Sequence, residues 1–155
     1  MQKITSFTID HTRLKPGVYV SRIDEMNGLK VTTFDLRLKT PNVDAVMDTA
    51  SIHAFEHLGA TYFRNSEIKD RIIYFGPMGC RTGFYLVVFG DVCSKKIYPY
   101  VLKMLDFIID YSGEIPGASP IECGNYKDLD LSGAIKNAKA YKEILITTPR
   151  FTYPE

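Results

Sequence analysis

Asn27-Gly28 stands between two strand-like stretches, and no other feature narrows the fold of this chain as much. Asn and Gly both tolerate the positive φ that a two-residue hairpin turn needs if its twist is to match the strands it joins. Gly17 to Arg22 precedes the turn and Leu29 to Leu38 follows it. In the second stretch Val31, Thr32, Thr33, Phe34 and Leu36 are interrupted by Asp35 and Arg37, a pattern suited to a strand with one face on a core. The pair reads as an antiparallel hairpin, and Pro41-Asn42 ends it.

From Asp48 to about Asn65 the apolar period changes. Ile52, Phe55, Leu58, Tyr62 and Phe63 recur at three- and four-residue spacing, which predicts an amphipathic helix that Asp48 or Thr49 can cap. Arg71 to Phe75 and Phe84 to Phe89 read as short buried strands on either side of a glycine-rich turn. Lys95 to about Tyr111 is a second amphipathic helix, Ser112 to Pro120 a loop rich in Ser, Gly and Pro, and Leu129 to about Ile146 a third helix. Without a repeat or linker, residues 1–155 read as one α+β domain, an antiparallel β-sheet with helices packed on one face.

Composition excludes several classes. With 19 basic and 18 acidic residues the net charge is +1, which gives no electrostatic footprint for nucleic acid or an anionic membrane surface. No stretch approaches the roughly 20 apolar residues of a spanning helix, and the opening segment has no apolar core of the signal-peptide kind. Three cysteines, at 80, 93 and 123, are an odd number and do not read as a disulfide framework. A cytoplasmic location with free thiols is expected.

Three places could carry chemistry. His53 and His57 sit one turn apart on the first helix, so both imidazoles can reach one divalent ion, with Glu56 beside them to move protons. A pair of merely polar helical histidines is the bland alternative, but burying two imidazoles and a carboxylate on an apolar helix without a partner is costly. Read alone, His-x-x-Glu-His also fits an inverted zinc-peptidase motif, though such peptidases are much longer than this chain. In Pro77-Met78-Gly79-Cys80-Arg81-Thr82-Gly83 the glycines let the turn expose the thiol, and Arg81 could favour the thiolate. Cys123, at the end of a loop, is placed to be a third metal ligand; two imidazoles, a thiolate and an open position suit Zn²⁺, Fe²⁺ or Co²⁺. Cys93 has no such context and reads as structural or incidental. A zinc-stabilised non-enzymatic protein would need a fourth protein ligand, and only three are evident.

Five segments in order resemble the LuxS family of S-ribosylhomocysteine lyases: residues 6–12, Phe34 to Arg37, His53 to His57, Pro77 to Tyr85 and Cys123 to Tyr126. The resemblance implies a cytoplasmic bacterial homodimer, with active sites between subunits, that cleaves the thioether of S-ribosyl-L-homocysteine by carbonyl migration and β-elimination. The products would be L-homocysteine and 4,5-dihydroxy-2,3-pentanedione, the precursor of the quorum-sensing signal autoinducer-2 and a step of the methyl cycle. It implies one divalent ion per subunit, Fe²⁺ ahead of Zn²⁺ or Co²⁺, on His53, His57 and Cys123. Cys80 and Glu56 would be the acid/base pair, and Ser6, His11 and Arg37 would line the substrate pocket. The chain departs from the family at Ala54-Phe55, where relatives often have Thr-Leu or Ser-Leu. It departs again at Tyr74-Phe75-Gly76, where many relatives carry an Asp.

Overall fold

The structure is a computed structural model that describes residue 4 and residues 7–154. Strands β1 (Gly17–Met26) and β2 (Leu29–Arg37) form the hairpin expected around Asn27-Gly28. Asn27 at φ 54° and Gly28 at φ 78° both take the left-handed conformation that this turn demands. β1 runs beyond the expected end at Arg22 because Met26 still pairs with Leu29; a bulge between Val20 and Arg22 absorbs one residue.

Helix α1 (Thr49–Asn65) follows, then β3 (Ile72–Pro77), β4 (Gly83–Phe89), α2 (Ser94–Ile109) and α3 (Leu131–Thr147). The sheet order is β1-β2-β4-β3 and every pair is antiparallel. α3 starts two residues later than the sequence pattern suggests, because the Asp130 carboxylate caps it by accepting from Gly133 N. The sheet has one face against the helices, as expected, and the described residues share one core.

Strand alternation sends Val18, Phe34, Leu36, Phe84 and Leu86 into that core, each at most 1% exposed. Phe55 of α1 stacks on Phe84 with ring centroids 4.7 Å apart, and Phe84 stacks on Phe75 at 5.1 Å. Gly59 lets α1 approach this closely: a Cβ there would stand 2.3 Å from the Phe75 ring. A helix-interior glycine costs about 1 kcal/mol of propensity, which the close helix–sheet packing offsets. Asp48 caps α1 through Ser51 N, and Asp130 N donates to Ala50 O at 3.0 Å, so α1 and α3 begin side by side.

Asp35 and Arg37 alternate onto the other face, yet they are only 1% and 3% exposed. Two contacts account for this. The Arg37 guanidinium grips the Asp35 carboxylate with two bonds, Nη2 to Oδ2 at 2.6 Å and Nε to Oδ1 at 3.1 Å. The C-terminal segment brings Tyr153 over them, stacked on Tyr19 at 4.7 Å.

Candidate metal centre and acid/base site

His53 and His57 project from one face of α1, their rings 4.7 Å apart and nearly perpendicular at 83°. The loop between α2 and α3 orients both. His53 Nδ1 lies 2.8 Å from Asp128 O and His57 Nδ1 lies 2.7 Å from Pro116 O. A carbonyl can only accept, so each Nδ1 carries the proton and each Nε2 is left with a lone pair. Gly117, at φ +76°, lets the loop pass; a Cβ there would come within 3.3 Å of His57 Nδ1 and Cε1.

The same loop delivers Cys123, whose Sγ stands 3.4 Å from His53 Nε2 and accepts from Asn125 N at 3.4 Å. One donor atom from each of His53, His57 and Cys123 lies within 4.8 Å of the others, so the three could hold a metal ion. Among the described residues no fourth His, Cys, Asp or Glu completes this group, which leaves a position for water or substrate. Two imidazoles with their far nitrogens already anchored, plus a thiol, form a donor set that fits a borderline divalent cation. Glu56 turns to the same side, with Oε2 4.0 Å from His57 Nε2.

Cys80 occupies the β3–β4 turn, which Arg81 N closes by donating to Met78 O at 2.9 Å. Arg81 adopts φ 58° and is exposed. Its carbonyl accepts from Met47 N at 3.1 Å, which ties the turn to the approach of α1. The cation that serves the thiol is therefore not Arg81, as its adjacency in sequence suggested, but Arg37, which β2 brings across the sheet. Arg37 Nη1 lies 3.9 Å from Cys80 Sγ and donates to Thr82 Oγ1 at 2.6 Å. With its oxygen thus accepting, the Thr82 hydroxyl is free to donate to Cys80 Sγ, 3.1 Å away. Burial pushes the Cys80 thiol up, but the Thr82 hydroxyl and amide together with the Arg37 charge outweigh it and bring it below the ordinary thiol value.

The family model for S-ribosylhomocysteinase (LuxS) matches residues 4–150. The chain belongs to the LuxS family. It is 49% identical to the S-ribosylhomocysteine lyase of Clostridium acetobutylicum, with all of both chains covered. It is 50% identical to that of Borreliella burgdorferi, over 99% of this chain and all of the relative. It is 51% identical to that of Desulfotalea psychrophila, over 99% of each.

This LuxS-family chain brings together His53, His57, Cys123 and Glu56 in one cluster and Cys80, Arg37 and Thr82 in another. His11 is not joined to either by a hydrogen bond among the described residues; its Nδ1 bonds Ile9 O within its own segment at 2.9 Å. Ser6 lies outside the described residues. Ala54 and Phe55 face the core, at 0% and 1% exposed, so that departure from the family leaves the ligand face untouched. At the other departure the Tyr74 ring lies over Gly76, where any Cβ would collide with it. Sequence reasoning missed Thr82, Asp35 and Tyr153. Thr82 lies within the Pro77–Gly83 segment, but its bond to the thiol depends on a turn geometry the residue order does not specify.

Proposed function

We propose that this chain is a metal-dependent lyase that cleaves the thioether of S-ribosyl-L-homocysteine to L-homocysteine and 4,5-dihydroxy-2,3-pentanedione. One observation carries this reading: in a chain matched by the LuxS family model over residues 4–150, the donor atoms of His53, His57 and Cys123 converge to within 4.8 Å. A second group, Cys80 held by Arg37 and Thr82, supports an acid/base role that a peptidase-type hydrolase would not use.

The thioether carbon of this substrate is not adjacent to a carbonyl, so direct elimination would form a poorly stabilised carbanion. The carbonyl must first move along the ribose chain from C1 to C2 and then to C3. A divalent cation on His53, His57 and Cys123, with Fe²⁺ first and Zn²⁺ or Co²⁺ as alternatives, would supply Lewis-acid stabilisation of the charge that develops on the sugar oxygens. Cys80, biased towards its thiolate, takes a proton from the carbon beside the carbonyl. Glu56, on the ligand-facing side of α1, shuttles protons on the sugar oxygens and carbons. With the carbonyl at C3, loss of the C4 proton to one of these bases expels homocysteine thiolate from C5, and a proton neutralises the leaving sulfur. Electrons balance without a redox cofactor.

Arg37 would line the pocket beside Cys80, while Ser6 and His11 would reach a site in a second copy of the chain. The homodimer rests on the family resemblance, and light scattering of the purified protein at micromolar concentration tests it. No described helix is long and apolar enough to cross a membrane, and the three cysteines are all free thiols, which supports a reducing cytoplasm. The test is release of free thiol from S-ribosyl-L-homocysteine by metal-loaded protein, followed with a thiol reagent. Absence of release with Fe²⁺, Zn²⁺ and Co²⁺ alike would sink the reading.

A further inference from the structure

The Arg37 guanidinium serves two sides at once. Nε and Nη2 hold the Asp35 carboxylate at 3.1 and 2.6 Å, while Nη1 reaches Thr82 Oγ1 at 2.6 Å and Cys80 Sγ at 3.9 Å. A guanidinium is a planar, rigid fork, so the plane of the Asp35 carboxylate sets where Nη1 points. Burial alone would raise the Cys80 thiol, whereas the Thr82 donors and the Arg37 charge lower it, so the aim of Nη1 bears on how much thiolate is present. What fixes the carboxylate comes from outside the sheet. Tyr153 Oη donates to Asp35 Oδ2 at 3.0 Å, the same oxygen that accepts from Arg37 Nη2. The carboxylate cannot turn about its Cβ–Cγ bond without breaking both contacts. The Ser21 hydroxyl hydrogen-bonds to the phenol from β1, and since a carboxylate only accepts, the phenol proton goes to Asp35. The Tyr153 ring is itself held in a stack on Tyr19, at 4.7 Å and 17° between planes. Tyr19 is 1% exposed, pairs with Asp35 across the β1–β2 ladder and donates its hydroxyl to Lys15 O at 2.7 Å. Val18 N donates to Arg150 O at 2.9 Å, which fastens the segment that carries Tyr153.

We propose that Tyr153 is a positioning residue for the acid/base chemistry: by pinning the Asp35 carboxylate it keeps Arg37 aimed at Cys80. The inference rests on the reading of Cys80 as a proton-transfer thiol. No hydrogen bond among the described residues joins Tyr153 to Cys80, so its effect passes through Asp35 and Arg37. Burial and the Asp35 carboxylate hold the Tyr153 phenol above its ordinary range, so it is neutral and deleting its hydroxyl changes no charge. The charged and titratable groups that face Cys80 are Arg37 and, behind it, Asp35 from β2, and Tyr85 from β4. Arg22 of β1 stands near Tyr85, and Arg81, next in the chain, is exposed. Of these only Asp35 is hydrogen-bonded by Tyr153, so a change at the thiol on loss of that hydroxyl reports the aim of Arg37.

Tyr153→Phe keeps the stacked ring and deletes the donor. Alkylation of Cys80 by iodoacetamide in metal-loaded protein, resolved by peptide across a pH series, reads the thiol without any turnover. The midpoint should rise by about half a pH unit, a roughly threefold loss of thiolate at pH values below both midpoints. In the same range kcat for homocysteine release should fall by about the same factor relative to the parent, and the ratio should return towards one as pH rises past both midpoints. Tyr98→Phe is the control: it removes a bond of the same kind, Tyr98 Oη to Leu145 O at 2.8 Å, beside Phe151 of the same segment. It should lower the urea midpoint as Tyr153→Phe does, yet leave the Cys80 midpoint in place. An unchanged Cys80 midpoint in Tyr153→Phe, or an equal rise in Tyr98→Phe, overturns the proposal. A parent that releases no homocysteine counts against the lyase reading, and the alkylation result still decides this one.

Discussion

Tyr153 donates its hydroxyl to Asp35 Oδ2 at 3.0 Å, although 118 positions separate the two in sequence. The same carboxylate holds Arg37, and Arg37 holds Thr82 and faces Cys80. The C-terminal segment thus closes a chain of polar contacts that starts at its phenol and ends at the reactive thiol. Burial and the neighbouring Asp35 carboxylate both push the Tyr153 phenol well above its ordinary range, so it stays a donor at any working pH.

Removing one partner of a buried ion pair leaves the other charge uncompensated. Asp35→Ala should therefore destabilise the fold by about 3 kcal/mol or more, because Arg37 stays buried at 3% exposure. Tyr153→Phe removes one hydrogen bond and should cost about 1 kcal/mol. Urea unfolding followed by circular dichroism measures both. Equal losses for the two variants would contradict the ranking of ion pair over cap.

Cys80 should react as a thiolate at lower pH than a free cysteine. Its alkylation by iodoacetamide should rise to a plateau with a midpoint below the roughly 8.5 of an unperturbed thiol, since Thr82 and Arg37 favour the charged form. The sign is definite: a depressed value leaves the thiolate populated as pH falls from the free-thiol midpoint to the lower one. Thr82→Ala deletes a donor and should move the midpoint up, and Thr82→Ser should restore it. Peptide-resolved alkylation rates between pH 5 and pH 10 report the shift.

Three ligands give no redundancy at the metal site. His53→Ala, His57→Ala and Cys123→Ala should each lose most bound metal, measured by elemental analysis of the purified variants. Gly117→Ala tests the loop that steers His57, since its Cβ would press on the ring at 3.3 Å and its φ of +76° disfavours a side chain. Outer contacts of this kind are worth about 10- to 100-fold in affinity, so competition with a chelator should expose a loss in that range. Unchanged affinity would mean the loop yields without moving the imidazole.

Glu56 and Cys80 are not in the ligand group, so Glu56→Gln and Cys80→Ala should fold and keep metal. Each should lose about 10² to 10⁴ in the rate of homocysteine release. If the two groups handle different protons, substrate carrying ¹³C in the ribose should stall at different keto sugars, which NMR distinguishes. Cys80→Ala releasing thiol at the parent rate would refute its role.

What the residue order determined by itself is local. The Asn27-Gly28 hairpin, the Asp48 cap and the one-turn spacing of His53 and His57 follow from dihedral preferences and the 3.6-residue period, which act over a few positions. The motif blocks around His53, Cys80 and Cys123 also point to the family without any tertiary information. Only the tertiary structure decided which groups meet. Cys123 reaches His53 because a long loop is fastened to α1 through the carbonyls of Pro116 and Asp128. Arg37, not the adjacent Arg81, serves Cys80 because the β2–β4 register sets Arg37 opposite Gly83, three residues past the thiol. Tyr153 covers Asp35 because the C-terminal segment folds back over β1 to stack on Tyr19. Such contacts depend on strand register and loop path, which are set by packing the whole core at once, and no pattern within a few residues encodes them.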